Sequence, residues 1–255
     1  MHKITLIGTG NIAWHMARGI TACADFELAE LVGRTKEPPP EFNEIPSYTT
    51  QLERLRATNI IILAVADGAI ASVAKLLKNT EALVLHTSGS MPMSLLDQLP
   101  SYGVLYPLQT FTKGRPVDLK KVPLCIEANN ADNLKKLSSL ALALSQDVQQ
   151  MDSKKRADVH FSAVLANNFS NHLLALTAEY CETHDIPFEL LKSLLRETLN
   201  KAFDIGPLQA QTGPARRGDF NTIKKQLAAI DDDQLQQTYT LLTNSILKTY
   251  GKEKL

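Results

Sequence analysis

Residues 4–13, Ile-Thr-Leu-Ile-Gly-Thr-Gly-Asn-Ile-Ala, restrict what this chain can fold into more than any other stretch. A strand-like apolar run ends at Gly8, Gly10 follows, and a helical pattern opens at Asn11. At the spacing Gly8-x-Gly10-x-x-Ala13 the first glycine lets the chain turn tightly out of the strand. The second lets a ligand approach the backbone, and the small third residue packs the helix closely on the strand. Free N–H groups at Asn11, Ile12 and Ala13, together with the helix dipole, favour an anion such as a dinucleotide's pyrophosphate. The competing interpretation is a plain strand–helix turn.

The end of the next strand supplies a second constraint. Leu28-Ala29-Glu30-Leu31-Val32 reads as a strand, and Gly33-Arg34-Thr35-Lys36 follows it. A site for NAD carries Asp or Glu here to bind the ribose 2′-hydroxyl. Arg34 and Thr35 instead offer a planar cation and a hydroxyl, which suit the 2′-phosphate of NADP(H). Alternatives are a solvated basic loop, or Glu30 as the acid, although Glu30 sits inside the strand.

Composition narrows the class further. With 27 basic and 27 acidic residues there is no global field to recruit nucleic acid or an anionic membrane. No apolar run reaches membrane-spanning length, and the chain enters a strand with no signal peptide before it. Cys23, Cys125 and Cys181 are widely spaced, which predicts neither a disulfide framework nor a metal site and suits a cytoplasmic location.

Strand and helix signals alternate through residues 1–151. Strands are expected at 3–7, 28–33, 59–65, 82–87, 102–106, 122–127 and 147–150, with helices at 11–23, 49–56, 67–79, 91–98 and 131–145. Continuous apolar runs such as 60–65 suit strands covered on both faces, so the first domain is predicted to be a doubly wound, mostly parallel α/β sheet. Residues 152–255 carry helical patterns only, at 153–184, 187–203, 220–230 and 233–250, and form an all-helical second domain.

Ligands in such sheets lie beyond the carboxyl ends of the strands. Val65 at one tip would line the adenosine side, while Asp67 caps the next helix. The tip His86-Thr87-Ser88-Gly89 could hold the nicotinamide ribose or form a hydroxyl-rich turn. Tyr106 and Gln109 could bond a substrate or hold their loop. On the long helix His160, Asn167 and Asn171 form one stripe, with Asn168 about 80° from His160. There a histidine could donate a proton, or serve as a satisfied structural residue. In the loop Thr212-Gly213-Pro214-Ala215-Arg216-Arg217-Gly218-Asp219, Arg217 suits an anionic group, unless it pairs with Asp219 while Asp219 caps the next helix.

Gly8-x-Gly10-x-x-Ala13, His86-Thr87-Ser88-Gly89, Tyr106-Pro107-Leu108-Gln109-Thr110-Phe111, His160 with Asn168-Phe169, and Thr212-Gly213-Pro214-x-x-Arg217-Gly218-Asp219 occur in this order. The chain thereby resembles, over nearly its full length, the family of Rossmann-like proteins with a C-terminal DUF2520 domain. That family is similar to pyrroline-5-carboxylate reductases and to the wider 6-phosphogluconate dehydrogenase-like superfamily. The resemblance implies NADP(H)-dependent oxidoreduction and a helical second domain often used for dimerisation. Where the family reads His-Pro-Leu, this chain has Tyr106-Pro107-Leu108. Several superfamily members use a lysine on the first long helix as acid–base, and here His160 stands on that helix.

These readings together predict hydride transfer between nicotinamide and a small carbonyl, imine or hydroxy substrate, anionic where Arg217 clamps it, in a homodimer joined through the helical domain. Gly8, Gly10, Asn11, Ile12, Ala13, Arg34, Thr35, Val65, His86, Thr87 and Ser88 would bind cofactor. His160, Asn168 and Arg217 would serve catalysis. The rival class is a non-catalytic NADP-binding sensor, in which the helical residues form an interface. A deazaflavin reductase would need a second planar pocket that the sequence does not display.

Overall fold

The computed structural model describes every residue except Glu44 and Pro46. It divides into two compact units, Met1–Phe169 and Ser170–Leu255.

In the first unit, the described residues form one eight-stranded sheet. Its strands are β1 (His2–Ile7), β2 (Phe26–Val32), β3 (Tyr48–Thr49), β4 (Ile60–Leu63), β5 (Leu83–His86), β6 (Tyr102–Pro107), β7 (Leu124–Ala128) and β8 (Val148–Gln150). Their order is β3-β2-β1-β4-β5-β6-β7-β8. Every neighbouring pair is parallel except β6 and β7.

Both faces are covered, as the apolar runs require. Helices α1 (Asn11–Thr21) and α3 (Ala131–Leu144) bury Met16, Ile20, Leu137 and Leu140 against Ile4, Leu6 and Leu85. On the other face α2 (Ile70–Leu76) packs Ile70 and Ala74 against Ile61, Leu63 and Val84.

Two expected helices are single 3-10 turns, Leu52–Arg54 and Met93–Leu96. In the first, Thr49 is taken by β3, where it pairs with Val32, and too few residues remain before β4 for a full helix. In the second, Pro92 and Pro100 bracket the segment, and proline is excluded from helix interiors. The run of prolines after β2 ends in another such turn, Pro40–Phe42, which buries Phe42.

Strands end at Gln150 and helices follow, but α4 (Ser153–Ala163) belongs to the sheet-bearing unit. Val164–Asn168 then form a π-helical turn. The second unit contains α5 (Phe169–Thr183), α6 (Lys192–Ile205), α7 (Pro207–Ala210), α8 (Pro214–Arg217), α9 (Phe220–Ala228) and α10 (Asp233–Thr249). A small core of Ala215, Ile223 and Leu247 holds the last three together. Asp232 caps α10 by accepting the Leu235 N–H at 2.6 Å. Among the described residues, no helix is long and apolar enough to cross a membrane.

Candidate functional site

The carboxyl ends of β1, β2 and β4 carry the first cluster of predicted residues. Gly8 has φ +123°, and a Cβ there would lie 2.2 Å from the carbonyl oxygen of Ala64, so only glycine fits. Gly10 is the N-cap of α1, and no side chain caps the helix. A Cβ on Gly10 would meet nothing within 4 Å. The first-turn N–H groups of α1 therefore face open space, which is the geometry an anion needs. Ala13 is fully buried where helix meets strand. The side chain of Asn11 is engaged: its Oδ1 accepts the Lys113 N–H at 3.2 Å.

Sterics also shape the tip of β2. A Cβ on Gly33 would lie 2.2 Å from the Tyr48 hydroxyl, which donates to the Thr35 carbonyl at 2.7 Å. Thr35 Oγ1 donates in turn to the Glu37 carbonyl at 2.7 Å. Thr35 thus holds the loop, and Arg34 stands exposed with no hydrogen bond or ion pair among the described residues. Glu30, the alternative acid, is only 3% exposed; it accepts the Arg56 N–H at 3.2 Å and faces the Arg56 guanidinium at 3.9 Å. Residues 33–36 at this tip carry no carboxylate for a ribose hydroxyl, Glu30 is engaged by Arg56, and a 2′-phosphate fits these residues better. Val65 is half-buried at the tip of β4. Asp67 does not cap the following helix; it accepts the Ser90 hydroxyl at 2.8 Å and ties the β4 tip to the β5 tip.

The β5 tip spends its polar groups on itself. His86 is fully buried and its Nδ1 accepts the Ser88 N–H at 3.2 Å. Burial, reinforced by the Arg156 guanidinium, holds its imidazole down at about 4, so the ring is neutral at physiological pH. Thr87 Oγ1 donates to the Leu63 carbonyl, and Ser88 Oγ accepts the Met91 N–H. These bonds build a hydroxyl-rich turn from His86, Thr87 and Ser88, and they place Gly89 beneath two rings.

Those rings are Tyr106 and His160. The Tyr106 hydroxyl lies 3.1 Å from His160 Nδ1, edge-on, with centroids 5.8 Å apart. A Cβ on Gly89 would sit 2.6 Å from Tyr106 Cζ and 2.7 Å from His160 Nδ1, so this glycine lets both rings close. Burial pushes the Tyr106 phenol up to about 12, which keeps its proton in place. Beside the pair opens a cleft of about 580 Å³, lined by Gln109, Thr110, Lys155, Asp158, Asn167 and Asn168 among others. Asn167 and Asn168 both border it because the π-turn widens the helix there, a distortion frequent at functional sites.

Sequence reasoning placed His160 and Asn168 in one site but did not pair His160 with Tyr106. It also passed over Lys155 and Asp158, and it placed Gly89 in the cleft tip without its steric role. Arg156, 1% exposed on a short polar helix, was missed as well; it forms a buried ion pair with Glu127.

In the second unit, the string 212–219 resolves largely into helix punctuation. Gly213 (φ +103°) and Pro214 open α8, and Gly218 closes it in the left-handed region. Asp219 caps α9, and hydrogen bonds from Thr222 hold its carboxyl below the usual carboxylate range. Arg216 donates to the Gln211 carbonyl and lies over the Tyr250 ring. Arg217 is exposed, and among the described residues it has no side-chain partner; in particular it forms no ion pair with Asp219.

A family model described as a domain of unknown function, DUF2520, matches residues 122–246. No curated protein matches the sequence. Among solved structures, a Bacteroides fragilis protein provisionally named an NADP oxidoreductase is 36% identical, with a TM-score of 0.90 over 97% of this chain and 98% of its own. A Thermotoga maritima protein is 18% identical, with a TM-score of 0.76 over 96% and 97% of the two chains. A Plasmodium falciparum pyrroline carboxylate reductase, solved with NADP bound, is 14% identical, with a TM-score of 0.60 over 98% and 97%. The last two likenesses show a shared fold, and the full-length match to the Bacteroides protein, with the DUF2520 match, shows descent: this chain belongs to the DUF2520 family.

Proposed function

We propose that this protein is an NADP(H)-dependent oxidoreductase acting on a small carbonyl, imine or hydroxy compound. One observation carries the reading: an uncapped, glycine-opened helix end stands beside a β2 tip whose acid, Glu30, is engaged by Arg56 and which presents Arg34 without a partner among the described residues. The name of the Bacteroides relative and the NADP bound to the Plasmodium reductase support it. Gly8, Gly10, Asn11, Ile12 and Ala13 hold the pyrophosphate, Arg34 the 2′-phosphate, and Val65 the adenosine side. Thr35 and the 86–88 turn shape the walls through which the cofactor contacts the protein.

The bound nicotinamide supplies or accepts hydride. The chain's own residues handle the proton. Tyr106, kept as a phenol, engages His160 Nδ1 and leaves Nε2 as the nitrogen for substrate. Asn168 offers an amide to the same cleft. The other charged members of the 212–219 string, Arg216 and Asp219, have internal tasks, and this leaves Arg217 as the clamp for an anionic group. A second copy of the chain pairs with the exposed apolar side chains of α6.

Titration calorimetry with NADPH and NADH tests the reading. Arg34→Ala is expected to weaken NADPH about 10-fold or more, the value of a lost charge-assisted contact, while leaving NADH nearly unchanged. Equal losses, or no heat with either nucleotide in the wild type, would refute it.

A further inference from the structure

We propose that the buried Arg156–Glu127 ion pair positions His160, by setting the register of α4 over β6 and β7 so that the imidazole meets the Tyr106 hydroxyl. The consequence for catalysis rests on His160 and Tyr106 being the proton-handling pair; the positioning itself does not. On the antiparallel β6–β7 ladder, Val104 faces Glu127 and Tyr106 faces Cys125. Facing and alternate residues share one side of a sheet, so Glu127 and Tyr106 stand on the same face about two strand residues, or roughly 7 Å, apart. On α4, Arg156 and His160 are one turn apart, which is about 6 Å along the axis. Two pegs on the helix thus meet two sockets on the sheet at matched spacing. A helix slipped by one residue would break both.

The rest of the network fixes the same register. Arg156 donates through Nη1 to Glu127 Oε2, and through Nη2 to the Met91 carbonyl at 2.6 Å and to Ser153 Oγ at 3.2 Å. Ser153 Oγ donates to Glu127 Oε2 at 2.7 Å and accepts the Met93 N–H at 2.9 Å. Met91 follows the turn whose Gly89 underlies both rings, and its N–H is held by Ser88. One guanidinium therefore joins the β5 turn, β7 and α4, the three supports around the Tyr106–His160 contact. Stability alone gives little reason for it: a buried ion pair seldom outperforms well-packed apolar residues of similar volume, and Arg156 Nε lacks a partner. The gain is a unique alignment.

The test is a ¹⁵N NMR measurement on the histidine-labelled full chain, with Tyr106→Phe marking the His160 Nδ1 resonance without its hydrogen bond. The double variant Arg156→Met with Glu127→Gln leaves no unpaired buried charge. Its His160 resonance is expected to move to the Tyr106→Phe position while NADPH affinity is unchanged. In Arg156→Lys, which keeps the charge but cannot serve three partners, the resonance is expected partway between. Should the double variant fail to fold, Arg156→Lys decides alone. A His160 signal that stays at the wild-type position in the folded variants overturns the proposal. Failure of the wild type to bind NADPH would overturn the cofactor reading and leave this measurement standing.

Discussion

Gly8 and Gly89 do the same thing at two places: each removes a Cβ where another group must stand. For Gly8 the conflict is with a backbone carbonyl on the neighbouring strand, for Gly89 with two side chains from β6 and α4. The first was legible in the sequence as the tight turn of a strand–turn–helix unit, although the carbonyl that excludes a Cβ comes from Ala64 on another strand's end. The second was not, because Tyr106 and His160 are 54 positions apart and only tertiary packing joins them. His86 offers a pH prediction at this scale. Its imidazole is held at about 4 in the fold, by burial first and Arg156 second, with Asp67 opposing, against 6.5 when exposed. As pH falls below 6.5 the unfolded chain takes up this proton first, so stability drops until about 4 and is flat beyond. Between pH 7 and 4 the wild type should lose about 3 kcal/mol more than His86→Asn in denaturant unfolding. Equal losses would show that the ring is not held neutral.

Among elements, α1 and the π-turn stand out by what they leave out. Helix α1 lacks a capping side chain, and the π-turn departs from regular winding where two asparagines border the cleft. The first omission can be read from a glycine in the capping position. The second cannot, since a π-turn has no local signature and the stripe of His160 and Asn167 was drawn on an ideal helix. Helix α1 makes a prediction with opposite signs. Gly10→Asp installs a good N-cap with room to spare, so thermal stability should rise by a few tenths of a kcal/mol. The same carboxylate occupies the anion's place, so nucleotide binding should vanish in calorimetry. A variant that is more stable and still binds NADPH would disprove the assignment of that helix end. The expected helix at 49–56 failed because Leu52 and Leu55 suggested a helical face too short to compete with the β3 pairing of Thr49.

At the scale of the whole molecule, the alternation of strands and helices followed by helices alone was readable because burial on two faces leaves long apolar runs. The described part of α6 has no buried residue, although Leu194, Leu199, Phe203 and Ile205 all lie on it and Phe203 is 83% exposed. Exposed apolar groups of this kind are what the proposed pairing of two copies would cover. Leu199→Glu with Phe203→Glu should convert a sedimenting dimer into a monomer; a wild type that sediments as a monomer at high concentration would remove the premise. One reversal in the sheet has a wider effect. Because β7 runs against β6, residues 108–123 leave and return at the same end of the sheet. That stretch is fastened to α1 through Lys113 at Asn11 and through the Arg115 carbonyl at His15, and to Glu41 through the Lys113 ammonium. Inverting a single strand has thus brought a connecting segment to the amino end of α1, tethered at the very turn where the pyrophosphate would rest.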